Sequence, residues 1–341
     1  MISCRLARPR LGRGRQGLFN MHTTVTRRDF LKVTGGTAAL AAAGSPGLAA
    51  GGGMFVTMRS LNGFWAAGAP PWTVEWQEFA RVAARAGYGG VDGLPFASMV
   101  KDGPEKVRAL LSELKLRVGF LGCPANPAAT DNAAFEASLK RLDEVCQFAS
   151  AIGCPRLVTA ILSSSDVPKD EWRKRVLGRM NAMSPILERH KVRVAIENLA
   201  PLHFRKRLKY EFLYTVPEIV ALCKESGPGW GLCLDAWHWH HSGGTVKDII
   251  AADKSQVIVV HLDDSKKLSP ADVKDNERLL PGEGMINLNG FLKALKQIGY
   301  EGHVSPEPLS RFPVGTTPDE VAKKTLEATV AVMKKARITF V

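Results

Sequence analysis

Few features of the chain suggest a membrane, a redox couple or a nucleotide. The apolar stretch from Val33 to Ala43 is too short and too rich in Gly and Ala to span a bilayer. Cysteine is scarce. Apart from Cys4, only Cys123, Cys146, Cys154, Cys223 and Cys233 are present, an odd number with no C-x-x-C pair. That excludes a thiol-rich zinc module and a dithiol redox motif, and it leaves buried, inert thiols as the expectation. An oxidising compartment would permit a disulfide, but the spacing selects no pair. No glycine-rich phosphate turn follows the first strand-like run, where the sequence reads Ser60-Leu61-Asn62-Gly63-Phe64. A dinucleotide fingerprint is therefore missing. Histidine is absent between His22 and His190.

What is present suits a large soluble core. The chain has 341 residues, 45% hydrophobic and 23% charged, a globular composition. The net charge of +13 suggests a polyanion partner until its distribution is considered. Eight basic residues against Asp29 place +7 of it in residues 1–50, leaving about +6 spread among interspersed charges. No nucleic-acid partner is expected from so diffuse a surface.

Residues 1–50 read as a leader. Thr26-Arg27-Arg28-Asp29-Phe30-Leu31-Lys32 resembles a twin-arginine export motif. The apolar stretch follows it, and then Gly44-Ser45-Pro46-Gly47-Leu48-Ala49-Ala50, which ends like a cleavage site. The expectation is recognition by the twin-arginine export machinery, cleavage near Ala49 or Ala50, a periplasmic or otherwise exported product and no stable membrane anchor. Met21 is an alternative start to Met1.

From residue 54 to 341, short apolar runs alternate with longer amphipathic segments. Eight runs can be counted: Phe55–Met58, Gly90–Gly93, Arg117–Gly122, Arg156–Ile161, Arg193–Asn198, Trp230–Asp235, Gln256–Asp263 and His303–Glu307. Helical stretches are predicted near 74–87, 103–115, 132–152, 169–190, 215–226, 245–252, 287–298 and 318–336. Phe135, Leu139, Leu142 and Cys146 mark one apolar helix face. Thr317-Pro318-Asp319-Glu320 offers an N-cap, an N1 proline and a capping-box glutamate. Gly87, Gly153, Gly227 and Gly299 follow helices where a left-handed residue is wanted. Runs such as Val257–Val260 are apolar throughout, as parallel strands covered on both faces require. Eightfold strand–helix repetition predicts the α/β class and one (β/α)8 TIM barrel, with a doubly wound sheet as the alternative.

Barrels carry their chemistry at the C-terminal ends of strands. The fifth run ends in Glu197-Asn198, the sixth in Asp235, the seventh contains His261 and the eighth ends in Glu307. Each residue has a plain alternative: a salt bridge for Glu197 or Glu307, an N-cap for Asp235, a satisfied core histidine for His261. Three carboxylates and an imidazole on four successive strands point instead to a shared divalent metal ion, and the donor set suits Mn, Mg, Co or Zn.

Ile196-Glu197-Asn198, Leu234-Asp235-x-x-His238, Val260-His261-x-x-Asp264, Arg278-x-x-Pro281-Gly282-x-Gly284 and Glu307 together resemble the sugar phosphate isomerase/epimerase family of xylose isomerase-like barrels. The resemblance covers about 55–338 and is sharpest from 193 to 308. It implies Glu197, Asp235, His261 and Glu307 as metal ligands, and Glu197 and Glu307 as the catalytic carboxylates that exchange protons next to a carbonyl. It also implies His238 and Arg278 as substrate-binding residues. The expected partner is a small sugar or keto-sugar, and the expected reaction is isomerisation or epimerisation through an enediolate. Dehydration of a keto-sugar or cyclitol is the alternative, because residue identity does not fix the fate of that intermediate. A homo-oligomer is compatible with the sequence.

Rival readings fit less well. The histidine gap leaves a trinuclear-zinc apurinic endonuclease without ligands from the second and third strands. Asp263 and Asp264 do not clearly supply the second metal site of xylose isomerase itself. A non-catalytic sugar-binding barrel leaves the carboxylate pair unexplained. Trp65, Phe96, Trp237, Trp239, His240 and His241 are open between a sugar platform and packing. Glu283 and the basic run Arg205–Lys209 read as solvated loops, and His303 lies at the far end of its strand from the site.

Overall fold

The computed structural model describes residues 53–59, 75–94, 96–309 and 312–340. The leader with Arg27 and Arg28, together with Trp65, lies outside the described residues.

The strands are β1 (Phe55–Arg59), β2 (Gly90–Asp92), β3 (Arg117–Val118), β4 (Leu121–Gly122), β5 (Arg156–Ile161), β6 (Ser164–Ser165), β7 (Arg193–Asn198), β8 (Tyr210–Glu211), β9 (Trp230–Asp235), β10 (Val257–Leu262) and β11 (His303–Pro306). Nine are parallel neighbours in the order β3-β2-β1-β11-β10-β9-β7-β5-β4. That order begins and ends on one stretch of chain, because the third run is interrupted. β3 pairs with β2 and β4 pairs with β5. Between them Gly119 donates to Val91 O (2.9 Å), and beyond them Cys123 donates to Val158 O (2.8 Å). The sheet therefore closes through this strand into eight positions around a barrel, and the doubly wound alternative is excluded. β6 and β8 form a separate antiparallel pair in the loops above.

The helices are α1 (Trp76–Ala86), α2 (Phe96–Glu113), α3 (Asn132–Ala151), α4 (Lys169–His190), α5 (Leu202–Arg205), α6 (Val216–Ser226), α7 (Ala236–His241), α8 (Val246–Gln256), α9 (Leu288–Gln297) and α10 (Pro318–Lys335). All eight long helices fall on predicted stretches. The start of α2 is earlier than the pattern suggested, and its path breaks at Gly103 (φ 79°), just before Pro104. The capping box at Thr317 forms as expected. Among the described residues no helix is long and apolar enough to cross a membrane.

Strand alternation sorts the core into two shells. Outward residues such as Val194, Ile196, Leu232, Leu234 and Val260 join the helices in the main apolar cluster. Inward residues Phe120, Val158, Ala195, Cys233, Ile258 and Val259 form a smaller cluster inside the barrel, the successive Ile258 and Val259 both joining it at a register shift in β10. Continuing the inward parity by two residues reaches Glu197 from Ala195, Asp235 from Cys233 and His261 from Val259. The apolar cluster is thus the floor of whatever these three residues build. His303 is inward as well, and its ring lies 5.8 Å from that of Phe120. Room for it comes from Gly119, where a Cβ would stand 2.8 Å from His303 Cδ2.

Candidate metal centre

Four strands bring the four predicted ligands together. One donor atom from each of Glu197, Asp235, His261 and Glu307 lies within 4.8 Å of the others, and all four residues are buried. Cα registry explains the convergence: His261 is paired with Asp235 across β10–β9, and Glu197 with Cys233 across β7–β9. His261 aims Nδ1 at the carboxylates, 2.8 Å from Glu197 Oε1, 3.2 Å from Glu307 Oε2 and 3.6 Å from Asp235 Oδ2. Asp235 serves two ends: its Oδ1 accepts from His238 N (2.9 Å) as the N-cap of α7, and Oδ2 faces the centre. The N-cap reading of this residue holds, and it leaves the second carboxylate oxygen in the cluster.

Three buried carboxylates need positive charge. Arg278 places one atom, Nη1, at 2.8 Å from Asp235 Oδ2, 2.6 Å from Asp263 Oδ2 and 3.3 Å from Glu307 Oε2. A single cationic nitrogen among oxygens from three residues marks where a small cation is electrostatically favoured. The oxygen-rich donor set with one imidazole nitrogen fits a divalent ion. His238, also predicted to face substrate, is fully buried. Its Nδ1 accepts from Ala200 N (3.3 Å), and its Nε2 lies 3.1 Å from Arg278 Nη2. Both predicted substrate residues therefore lie at the centre.

Arg59, at the end of β1, was not legible as a site residue. Its Nη1 donates to His261 Nε2 (2.7 Å) and its Nη2 pairs with Glu307 Oε1 (2.8 Å). The signal was parity: Arg59 is two residues beyond inward-facing Thr57, one position past the end assigned to the first run. The same parity brings in Asp92 from β2, which accepts from Thr57 Oγ1 (2.5 Å).

The carboxylates are electrostatically unequal. Burial opposes ionisation of Glu307, but Arg59, Arg278 and His261 outweigh it and hold its carboxyl down at about 2. Burial also opposes Asp235, and Arg278, His238 and His261 hold it well below its ordinary value. Asp263 goes the other way, pushed well up by burial and by neighbouring Asp235 and Glu307 despite Arg278. Burial likewise raises Asp92 to about 6 and the Cys233 thiol to about 12. Cys233 lies 3.7 Å from Glu197 Oε1 and is a neutral thiol beneath the centre.

The Pro281-Gly282-x-Gly284 loop holds Arg278 in place through Asp264. This buried carboxylate accepts from Ser265 N (2.8 Å), Gly282 N (3.1 Å) and Ile286 N (2.9 Å). Backbone bonds of 3.0 and 2.8 Å tie Asp264 to Leu279, the neighbour of Arg278. A Cβ on Gly284 would stand 2.3 Å from Ser265 O and 2.5 Å from Asp264 Oδ1, so only glycine lets the loop close. Asp264 is thus a loop anchor.

Several open aromatic readings resolve as packing. Trp237 is fully buried against His241 (4.5 Å) and Arg278 (5.6 Å). Trp239 stacks on Phe291 and donates to Thr245 O, and Phe96 meets Phe148 edge-on. Ser310 and Arg311, beyond the eighth strand, lie outside the described residues.

With this geometry in hand, the comparisons with known proteins decide the family. The sequence profile of the xylose isomerase-like TIM barrel family matches residues 80–334. The chain belongs to that family. An inosose isomerase from Halalkalibacterium halodurans is 26% identical over 206 residues, covering 60% of this chain and 71% of the relative. A xylose isomerase domain protein from Alicyclobacillus acidocaldarius shares the fold at a TM-score of 0.73 and 23% identity, over 83% of this chain and 99% of that one. The IOLI protein, solved with a zinc atom, superposes at 0.69 with 18% identity, over 83% and 99%. An L-ribulose 3-epimerase does so at 0.63 with 17% identity, over 83% and 96%.

Loss of Arg59 tests the charge balance of the metal-free centre. Glu307 is depressed in the folded state, so its contribution to stability is full above about pH 4.5 and is lost as the pH falls towards 2. In R59M the nearest cation is gone and the carboxyl rises. The acid-unfolding midpoint of metal-free R59M, followed by circular dichroism, is expected at higher pH than that of the unsubstituted protein. An unchanged midpoint would show that Arg59 does not hold this carboxylate.

Proposed function

We propose that the chain is a divalent-metal-dependent sugar isomerase or epimerase that moves a proton on a carbon next to a carbonyl. The observation that carries this reading is the convergence of Glu197 and Glu307 on one centre, with Asp235 and His261 between them. The inosose isomerase relative supports the reaction class, and the zinc atom in the IOLI protein agrees with a cation at such a centre.

A carbon acid beside a carbonyl ionises only if the developing oxygen charge is stabilised and a base sits within reach. A cation held by Glu197, Asp235, His261 and Glu307 would act as a Lewis acid on the substrate's oxygens. The chain's own residues supply the rest. Glu197 and Glu307 come from strands separated by β9 and β10, and the two carboxylates can address opposite sides of a bound sugar. One removes the proton and the other returns it, which inverts the centre. Return to the adjacent carbon gives an aldose–ketose interconversion. Glu307 is paired with two arginines and Glu197 with neither. That asymmetry suits Glu197 to accept the proton first and leaves Glu307 the weaker base. His238 and Arg278 orient substrate oxygens at the same centre, and the apolar floor of Phe120, Val158 and Ala195 keeps water from below.

Export belongs to the same proposal and rests on Arg27-Arg28 with the apolar stretch and small residues that follow. R27K/R28K is expected to retain the uncleaved protein in the cytoplasm; unchanged delivery to the periplasm would refute a twin-arginine route.

The test of the chemistry is solvent exchange. The metal-replete protein in deuterium oxide is expected to incorporate deuterium next to the carbonyl of at least one ketose or keto-sugar, with formation of an epimer or isomer. E197Q and E307Q should each lower the rate by about 10²-fold or more. Full exchange activity in either variant would remove that carboxylate from the mechanism, and net loss of water would mark a dehydratase.

A further inference from the structure

The far nitrogen of His261 has the wrong neighbour for a metal ligand. Its Nδ1 faces the carboxylates at 2.8, 3.2 and 3.6 Å, so Nδ1 is the atom that a cation held by all four residues would take. A histidine that gives one nitrogen to a metal carries its proton on the other, and that N–H is ordinarily received by a carboxylate, a carbonyl or water. Here Nε2 meets Arg59 Nη1 at 2.7 Å. A guanidinium has five N–H donors and no acceptor. Cys233 Sγ is no substitute. It lies 3.7 Å from Nδ1 and 3.8 Å from Nε2, and an atom so nearly equidistant from both nitrogens is far off the line of an Nε2–H bond. Arg59 in this position and a cation on Nδ1 exclude one another, because two donors would stand face to face.

A second place for the guanidinium is built next door. Cα registry pairs Arg59 with Asp92 across β1–β2, and neighbouring strands lie about 4.8 Å apart. In the sheet order β2 flanks β1 on one side, and β10 with His261 lies beyond β11 on the other. Asp92 is fully buried. Its Oδ2 accepts from Thr57 Oγ1. Its Oδ1 makes no hydrogen bond among the described residues, and the nearby Ser305 hydroxyl makes none either. A buried carboxylate oxygen without a donor is costly. The acids already act on Arg59: burial opposes its charge, and Glu307, Glu197 and Asp92 together outweigh that and hold it charged. Its side chain is also more open than that of Glu307, 17% exposed against 5%, which gives it room to turn.

We propose that Arg59 is a displaceable counter-cation that trades His261 for Asp92 Oδ1 when a divalent ion takes Nδ1. In the metal-free chain it joins His261 to Glu307. With an ion bound, Nε2–H no longer faces a donor, and the guanidinium satisfies the Asp92 oxygen. Arg59 and Asp92 thereby set how tightly the centre holds its ion. The inference rests on the proposed metal dependence, and it names two positioning residues outside the ligand set that govern it.

Metal binding, measured without turnover, tests it. Calorimetry with manganese alone near neutral pH is expected to show about tenfold tighter binding for R59M, the scale on which groups behind metal ligands act. R59Q removes the same charge and keeps a polar side chain; it should tighten binding too, and it stands in if the methionine variant does not fold. D92N should weaken binding about tenfold in the otherwise unsubstituted protein. In an R59M background D92N should change nothing, because no guanidinium is left to receive. A plain charge effect of Asp92 would persist there. The ring nitrogens give an independent readout. Histidine 15N spectra are expected to show His261 Nε2 bare without metal and protonated with zinc bound. Unchanged or weaker binding in both Arg59 variants overturns the exchange, as does a zinc-bound protein whose Nε2 stays bare. A D92N loss that persists in R59M overturns it too. Binding of no ion by any variant sinks the metal-dependent reading itself, whereas finite and equal affinities sink the exchange alone.

Discussion

The mutual repulsion of three carboxylates inside a barrel governs the upper half of this structure. Glu197, Asp235 and Glu307 are buried at one point, and ionised groups there are tolerated only with compensating cations. The chain supplies Arg59 from one side and Arg278 from the other, so that Asp235 and Glu307 each meet a guanidinium. Asp263, fully buried and sharing Arg278 with them, is the member pushed towards its neutral form. The same arrangement gathers the three oxygen donors and one imidazole nitrogen that a divalent ion would take.

Second-level features follow from that constraint. Arg278 is useful only if its loop is fixed, and the fixing is done by Asp264, Gly282 and Gly284 through backbone hydrogen bonds and a close approach that no side chain would permit. His261 is oriented by Arg59 at one ring nitrogen and by the carboxylates at the other. Below, a layer of inward apolar side chains separates the centre from His303, whose ring is fully buried and held neutral by burial and nearby cations.

Much of this was legible in the sequence, for identifiable reasons. Continuous apolar strands and amphipathic helices of ordinary length repeat eight times, and each of the nine parallel strands overlaps one of the eight runs. The four clustered residues Glu197, Asp235, His261 and Glu307 were legible because each stands near the end of an apolar strand, where a charge is conspicuous. Arg59 escapes because the first apolar run stops at Met58, and a basic residue at a strand end reads as solvated unless inward parity is followed. Asp92 lies inside the predicted run Gly90–Gly93 and escapes because its inward parity is not followed. The antiparallel pair β6–β8 and the short helices α5 and α7 escaped because two to six residues carry no usable period. The open choice for Trp237 and Trp239 was settled only by their burial.

The most direct measurement is a crystal of the protein soaked in manganese and examined by anomalous scattering. One strong peak is predicted within ordinary coordination distance of Glu197, Asp235, His261 and Glu307 together, with Arg278 Nη1 withdrawn from Asp235. A protein that takes up no ion there, with both arginines still seated on the carboxylates, or that binds manganese only elsewhere, would contradict the claim that this constellation exists to hold a metal.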